Sequence, residues 1–181
     1  MANLRILIVF YSRTGTTRLV AQDLKEKLAS AGHFVQLEDL IDLKNRHGVL
    51  GWLNAGRDAS TKKLTQISKP SINPHKFNLV ILGTPVWAAK MACALRTYIA
   101  DHRNFFKKVA FFGTMGANDS EKLFDDMTSE CYKNSLANLY LLTKEVMKKD
   151  KDEQLKNTYD SKINLFVKTI NKIKNEKNKE K

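Results

Sequence analysis

The stretch Leu4-Arg5-Ile6-Leu7-Ile8-Val9-Phe10-Tyr11-Ser12-Arg13-Thr14-Gly15-Thr16-Thr17 decides the fold. An apolar run, Ile6 to Phe10, ends in a loop of hydroxyls around one glycine. A helical spacing of apolar residues follows at once in Leu19, Val20, Leu24 and Leu28. A strand that turns through Ser12, Arg13, Thr14, Gly15, Thr16 and Thr17 into a helix makes a cradle for a phosphate. The helix N-terminus offers unpaired N–H groups and a partial positive charge, the hydroxyls add donors, and Gly15 allows close approach or a positive φ. A helix cap needs one such residue, and the hydroxyl cluster here exceeds that need.

Outward from this stretch, the apolar runs alternate with helical patterns. His33 to Asp39 alternates as an exposed edge strand does. Asn78 to Thr84 and Lys108 to Gly113 are almost wholly apolar, as strands covered on both faces are, and Asn138 to Thr143 is the last run. The helical patterns cover Thr17 to Ser30, with Gly32 as C-terminal cap, then Met91 to Asp101, Ser120 to Tyr132 and Tyr159 to Ile173. Asn118, Asp119 or Ser120 caps the third of these. Asp42 to His75 is irregular. Val49, Leu50, Trp52, Leu53 and Ala59 mark an amphipathic helix there, which Gly48, Gly51 and Gly56 weaken. This alternation argues an α/β fold: a doubly wound, five-stranded parallel sheet of order 2-1-3-4-5. Its ligand is expected at the switch point beyond the C-terminal ends of strands 1 and 3.

Three loops should then converge: Tyr11 to Thr17, Gly83 to Met91, and Gly113 to Asn118. Other phosphate chemistries fail on composition. A P-loop needs a Lys after its second glycine, and none follows Gly15. A dinucleotide fingerprint needs two further glycines. A receiver domain needs acidic residues where Phe10 and Tyr11 stand. A low-molecular-weight phosphatase needs a cysteine at the start of the first loop, and none precedes Cys93.

Ser12-Arg13-Thr14-Gly15-Thr16-Thr17 fits the pattern [ST]-x-[ST]-G-x-[ST], and Gly83-Thr84-Pro85-Val86-Trp87 places an aromatic in the second loop. In both, and in the third loop, the chain resembles the flavodoxins and flavodoxin-like proteins over about residues 4 to 147. The resemblance implies a flavodoxin-like sandwich with non-covalent FMN. The phosphate would lie on Ser12, Arg13, Thr14, Gly15, Thr16 and Thr17. The ring would lie between Thr84, Pro85, Val86, Trp87 and Ala88 on one side and Gly113, Thr114, Met115, Gly116 and Asn118 on the other. Where many flavodoxins carry a glycine after the aromatic, this chain has Ala88 and Ala89. Its third loop lacks the second ring-stacking aromatic, and its charge is basic where carrier flavodoxins are acidic. The function implied is electron transfer with no catalytic side chain, to a redox partner protein or a small-molecule electron acceptor. The alternatives are an NAD(P)H-dependent FMN or quinone reductase and a flavin-free interaction protein with a basic surface.

Composition bounds the rest. The chain has 181 residues, 43% hydrophobic, with a formal net charge of +12. That suffices for one domain, read as residues 1–174 with a charged Lys/Asn/Glu tail at 175–181. The stretch from Lys168 holds six lysines against two glutamates, so most of the excess charge lies in the body of the chain. Basic runs without interleaved aromatics, and no recognised motif, argue against nucleic acid. No apolar run reaches membrane-spanning length, and the start lacks the pattern of a signal peptide, so a cytoplasmic monomer or dimer is expected. Cys93 and Cys131 lack metal or disulfide spacing and are read as partly buried, reduced thiols. Arg46, His47 and Arg57, in the irregular segment, are candidates to meet an anionic substrate or a nicotinamide phosphate.

Overall fold

The computed structural model describes residues 3–46, 48–116 and 120–176. His47, Asn118 and the tail from residue 177 lie outside the described residues, as does the side chain of Trp52.

The first strand, β1 (Arg5–Tyr11), is buried at every position after Arg5, because helices cover both of its faces. It pairs in parallel with β2 (Phe34–Leu40) on one side and β3 (Leu79–Trp87) on the other. β5 (Val109–Met115) and β6 (Ser135–Leu142) extend the sheet in parallel, giving the order β2-β1-β3-β5-β6. This is the expected doubly wound order. The numbering shifts because a two-residue strand, β4 (Lys90–Met91), intervenes and pairs only with β3.

Alternate strand residues feed two cores. Ile6, Ile8, Phe10, Ile81 and Phe112 pack under α1 (Thr16–Ser30), α5 (Thr143–Met147) and α6 (Glu153–Glu176). Leu7, Val9, Val80, Leu82 and Phe111 pack under α2 (Gly48–Ser60), α3 (Cys93–His102) and α4 (Ser120–Cys131). Both cysteines are free and buried, and burial pushes the Cys131 thiol up to about 12. Among the described residues no helix is long and apolar enough to cross a membrane, and no cluster of ligands could hold a metal.

Several elements differ in their bounds from the sequence reading: the helix expected from Met91 begins at Cys93, since Met91 pairs in β4, and the last strand begins at Ser135 rather than Asn138. The third strand does not end at Thr84. Pro85 and Val86 continue it, with Thr84 opposite Gly113 and Pro85 opposite Thr114. The chain then reverses in a hairpin in which Trp87 faces Lys90. The two turn residues, Ala88 and Ala89, have φ of 48° and 60°. Positive φ at both central residues is the turn whose twist matches a tight hairpin, and glycine normally supplies it. An alanine there is strained by about 1–2 kcal/mol, more than a glycine's extra chain entropy offsets. Ala88→Gly should therefore raise stability by about 0.5–1 kcal/mol, seen as a rise of about 1–4 °C in the thermal midpoint.

The irregular segment does form a helix, and its glycines are part of the reason. A side chain at buried Gly51 would collide with the backbone of Arg46, so glycine lets α2 sit against the connection that precedes it. That connection is held by Leu43 N–H to Gln66 O at 2.9 Å and Ser68 N–H to Ile41 O at 3.0 Å. The Glu38 carboxylate accepts the N–H groups of Ser71 (3.0 Å) and Ile72 (2.7 Å). The last helix begins at Glu153 rather than Tyr159, because its first turns are polar and carry no apolar period.

Candidate functional site

The loop after β1 is built around Gly15. It stands at the N-cap of α1 with φ of 93°, and no atom lies within 4 Å of where a Cβ would be, so conformation rather than space selects glycine. A glycine cap offers no side chain to the helix. Ser12 Oγ accepts the N–H of Arg18 at 3.2 Å, and Gly15 O accepts that of Leu19 at 3.0 Å. The amides of Thr16 and Thr17 are left without a protein acceptor among the described residues, at the positive end of a 15-residue helix. Thr14 is exposed, and neither it nor Thr16 spends its hydroxyl on a bond to another described residue. Thr17 does: its hydroxyl meets that of Thr114 at 2.8 Å in the interior and braces the first loop against the third.

The segments after β1, β3 and β5 lie side by side, because Phe10 is opposite Gly83 and Thr84 is opposite Gly113. A side chain at Gly113 would meet the end of the Leu123 side chain of α4, which would have to move aside. Thr84 is fully buried. Its hydroxyl accepts the N–H of Ala92 (2.9 Å) and donates to Pro85 O (2.9 Å), so it holds the hairpin. Thr114 and Met115 are buried within β5, and Gly116 is exposed just beyond it. Trp87 is largely buried and meets Tyr11 edge to face, with ring centroids 5.7 Å apart and planes at 81°. Burial, with Asp42 nearby, pushes the Tyr11 hydroxyl up to about 12, so it stays neutral. Val86, Trp87 and Ala88 form one wall of a cavity of about 380 Å³, and Leu53, Gly56 and Arg57 of α2 form the other.

The uncapped start of α1 stands at the sheet's switch point, where an anionic ligand can be held; the cavity at Trp87 is lined by the second loop and α2 and by neither the first loop nor the third. The family model described as Flavodoxin matches residues 5–159. The chain belongs to the flavodoxin family. No curated protein matches the sequence. Among solved structures, this flavodoxin-family chain is similar to a flavoprotein in complex with FMN from Lactobacillus acidophilus: identity 18%, coverage 76% of this chain and 93% of that one, TM-score 0.65. It is similar to oxidised flavodoxin 2 from Bacillus cereus, with 16% identity, 93% and 98% coverage, and a TM-score of 0.58. It is also similar to two-electron reduced Megasphaera elsdenii flavodoxin, with 15% identity, 88% and 98% coverage, and a TM-score of 0.54. At these identities the likeness is one of fold.

Two ion networks frame the site of this flavodoxin-family chain. The first corrects the expectation for Arg46, whose guanidinium is not open to a substrate. It is buried, bound to Asp42 (2.9 Å) and Asp58 (2.7 Å), while Lys44 also binds Asp58 at 2.7 Å. Burial works against its charge, but the hydrogen bonds it donates to Asp42 and Asp58 more than offset this and its pKa rises. Arg13 donates to Arg46 O at 3.3 Å, which links the first loop to this anchor of α2. Asp58 is held below the usual carboxylate range by the hydrogen bond from Lys44 and, against burial, by that from Arg46. Its stabilisation is complete above the unfolded value of about 3.9 and is lost as pH falls through the lower folded value. Between pH 5 and 3, the thermal midpoint of the parent chain should fall more steeply than that of an Asp58→Asn variant, measured by circular dichroism.

The second network was not foreseen. Arg96 binds Asp126 (2.6 Å) and Glu130 (2.5 Å), and the Lys90 ammonium stands 3.7 Å from Asp126. Asp126 also accepts the N–H of Met91 at 3.4 Å, so a buried carboxylate sits directly under the Trp87–Lys90 hairpin. A signal existed in the sequence: Asp126 falls between inward-facing Leu123 and Met127, and a charge on that side of a helix needs a buried partner.

Proposed function

We propose that this flavodoxin-family chain is an FMN-binding electron-transfer protein. The observation that carries the reading is the start of α1: Gly15 at positive φ, no side-chain cap, and the Thr16 and Thr17 amides without acceptors. A phosphate monoester supplies the missing acceptors, and the Ser12 and Thr14 hydroxyls and the Arg13 guanidinium stand in the same loop to bind it. When bound, FMN supplies one- and two-electron transfer. The protein's part is positional. Thr17 and Thr114 hold the phosphate and ring segments in register, Trp87 offers an apolar wall, and Thr84 and Asp126 fix the hairpin that bears it. No side chain in these segments needs to act as nucleophile or acid.

The test is reconstitution. Purified protein titrated with FMN should quench the flavin's fluorescence at one equivalent and hold a yellow chromophore through gel filtration. Failure to take up FMN would point to the flavin-free interaction role. Rapid NADPH or NADH oxidation by the loaded protein in the presence of a quinone would point to a reductase. A flavin reduced only by another redox protein marks a carrier.

A further inference from the structure

We propose that the outer face of α2, beside the Trp87 hairpin, is the docking surface for an acidic redox protein that exchanges electrons with the bound flavin. The inference rests on the flavin reading above and names the partner of that same site. Three large apolar residues of α2, Val49, Leu50 and Leu53, are exposed, the first two by about three quarters of their surface (75% and 77%). Ile41 and Leu43 are exposed on the connection leading into that helix. Leu53 also lines the cavity with Trp87, so the apolar patch runs to the second-loop hairpin.

The charge around this patch is sorted by depth. The carboxylates of its ion pairs are inside: the side chains of Asp42, Asp58 and Asp126 are 2%, 8% and 0% exposed. Two of their cations, Arg46 and Arg96, are buried with them, and the lysines lie outside: Lys44, Lys62 and Lys63 are 51%, 49% and 58% exposed. Arg57, exposed at the cavity's rim, has no carboxylate partner among the described residues. A partner approaching α2 therefore meets ammonium and guanidinium groups around an apolar centre, with the compensating charge screened behind them. An apolar core with a polar rim is the anatomy of a protein interface, and the sign of this rim selects an acidic partner. A bilayer fits less well: α2 has only 13 residues, three of them glycines, and is pinned to the body by the Arg46–Asp58 pair. Transfer of one electron oxidises the partner's redox centre by one electron and reduces the flavin by the same electron, and no bond forms between the two proteins.

The probe is an acidic plant-type [2Fe–2S] ferredoxin, with a basic c-type cytochrome and phosphatidylglycerol vesicles as alternatives. Binding is measured by calorimetry on the FMN-loaded and FMN-free protein. The ferredoxin should bind both forms at 10 mM salt and about tenfold more weakly at 200 mM. Leu50→Ser and Lys63→Glu, both at exposed positions, should each weaken ferredoxin binding about tenfold and leave FMN affinity unchanged. No ferredoxin binding at low salt, equal or tighter binding of the cytochrome, binding to vesicles but not ferredoxin, or indifference to both variants would each overturn the docking surface. Ferredoxin binding by a protein that takes up no FMN would overturn the flavin reading and leave the surface standing.

Discussion

Protein carrying Thr14→Asp is expected to bind FMN at least about 100-fold more weakly than the parent chain, with no loss of folding. Thr14 is exposed in the first loop, next to the glycine that opens α1, so the fold places no demand on its side chain. A carboxylate there competes for the Thr16 and Thr17 amides and repels the phosphate that would otherwise take them. Losing a charge-assisted hydrogen bond, about 1.5–3 kcal/mol, together with repulsion gives a change of that size. The effect on stability has the opposite sign. A carboxylate at a helix N-terminus caps it and is worth about 0.5–1 kcal/mol, so the thermal midpoint should hold or rise slightly. Fluorescence titration with FMN and a melting curve on the same sample separate the two. Unchanged FMN affinity would remove the first loop from the phosphate site.

The largest stability effect is expected at Asp126. Asp126→Ala leaves the Arg96 guanidinium, 2% exposed, with Glu130 as its remaining carboxylate partner, and removes the acceptor for the Met91 N–H. Breaking a buried pair in this way costs about 3–5 kcal/mol, which for a domain of this size lowers the thermal midpoint by about 6–20 °C. The hairpin from Trp87 to Lys90 loses its floor, so FMN affinity should fall as well. Asp126→Asn keeps an acceptor for Met91 and should recover part of the flavin affinity while remaining less stable than the parent. Equal midpoints for parent and Asp126→Ala would show that Arg96 and Met91 find other partners.

The sheet was legible because its signal is local. A run such as Ile6 to Phe10 or Leu79 to Leu82, apolar at every position, is a strand covered on both faces, and the alternation of Phe34 to Leu40 marks the edge. The turn of the first loop was legible for the same reason, since Gly15 stands between an apolar run and a helical period and takes the positive φ expected of it. The hairpin was not legible. Nothing in Val86-Trp87-Ala88-Ala89-Lys90 announces a reversal, because alanine is a poor residue for positive φ. The reversal is imposed by Thr84 holding Ala92 and by Asp126 beneath Met91.

Nor was the fate of the charged residues. From the sequence, Arg46 and Arg57 are equivalent basic residues of one irregular segment. Folded, the first is buried between Asp42 and Asp58 and the second is exposed at the cavity's edge. By itself the sequence determined the strand order and the turn at Gly15 from the first strand into the first helix, because periodicity and loop composition are properties of neighbouring residues. Only the tertiary structure decided which cations face outward, how the Trp87 wall is held and what lines the cavity beside it. Those depend on pairs such as Arg96 with Asp126 and Thr17 with Thr114, far apart along the chain, which only the packed sheet brings within a hydrogen bond of one another.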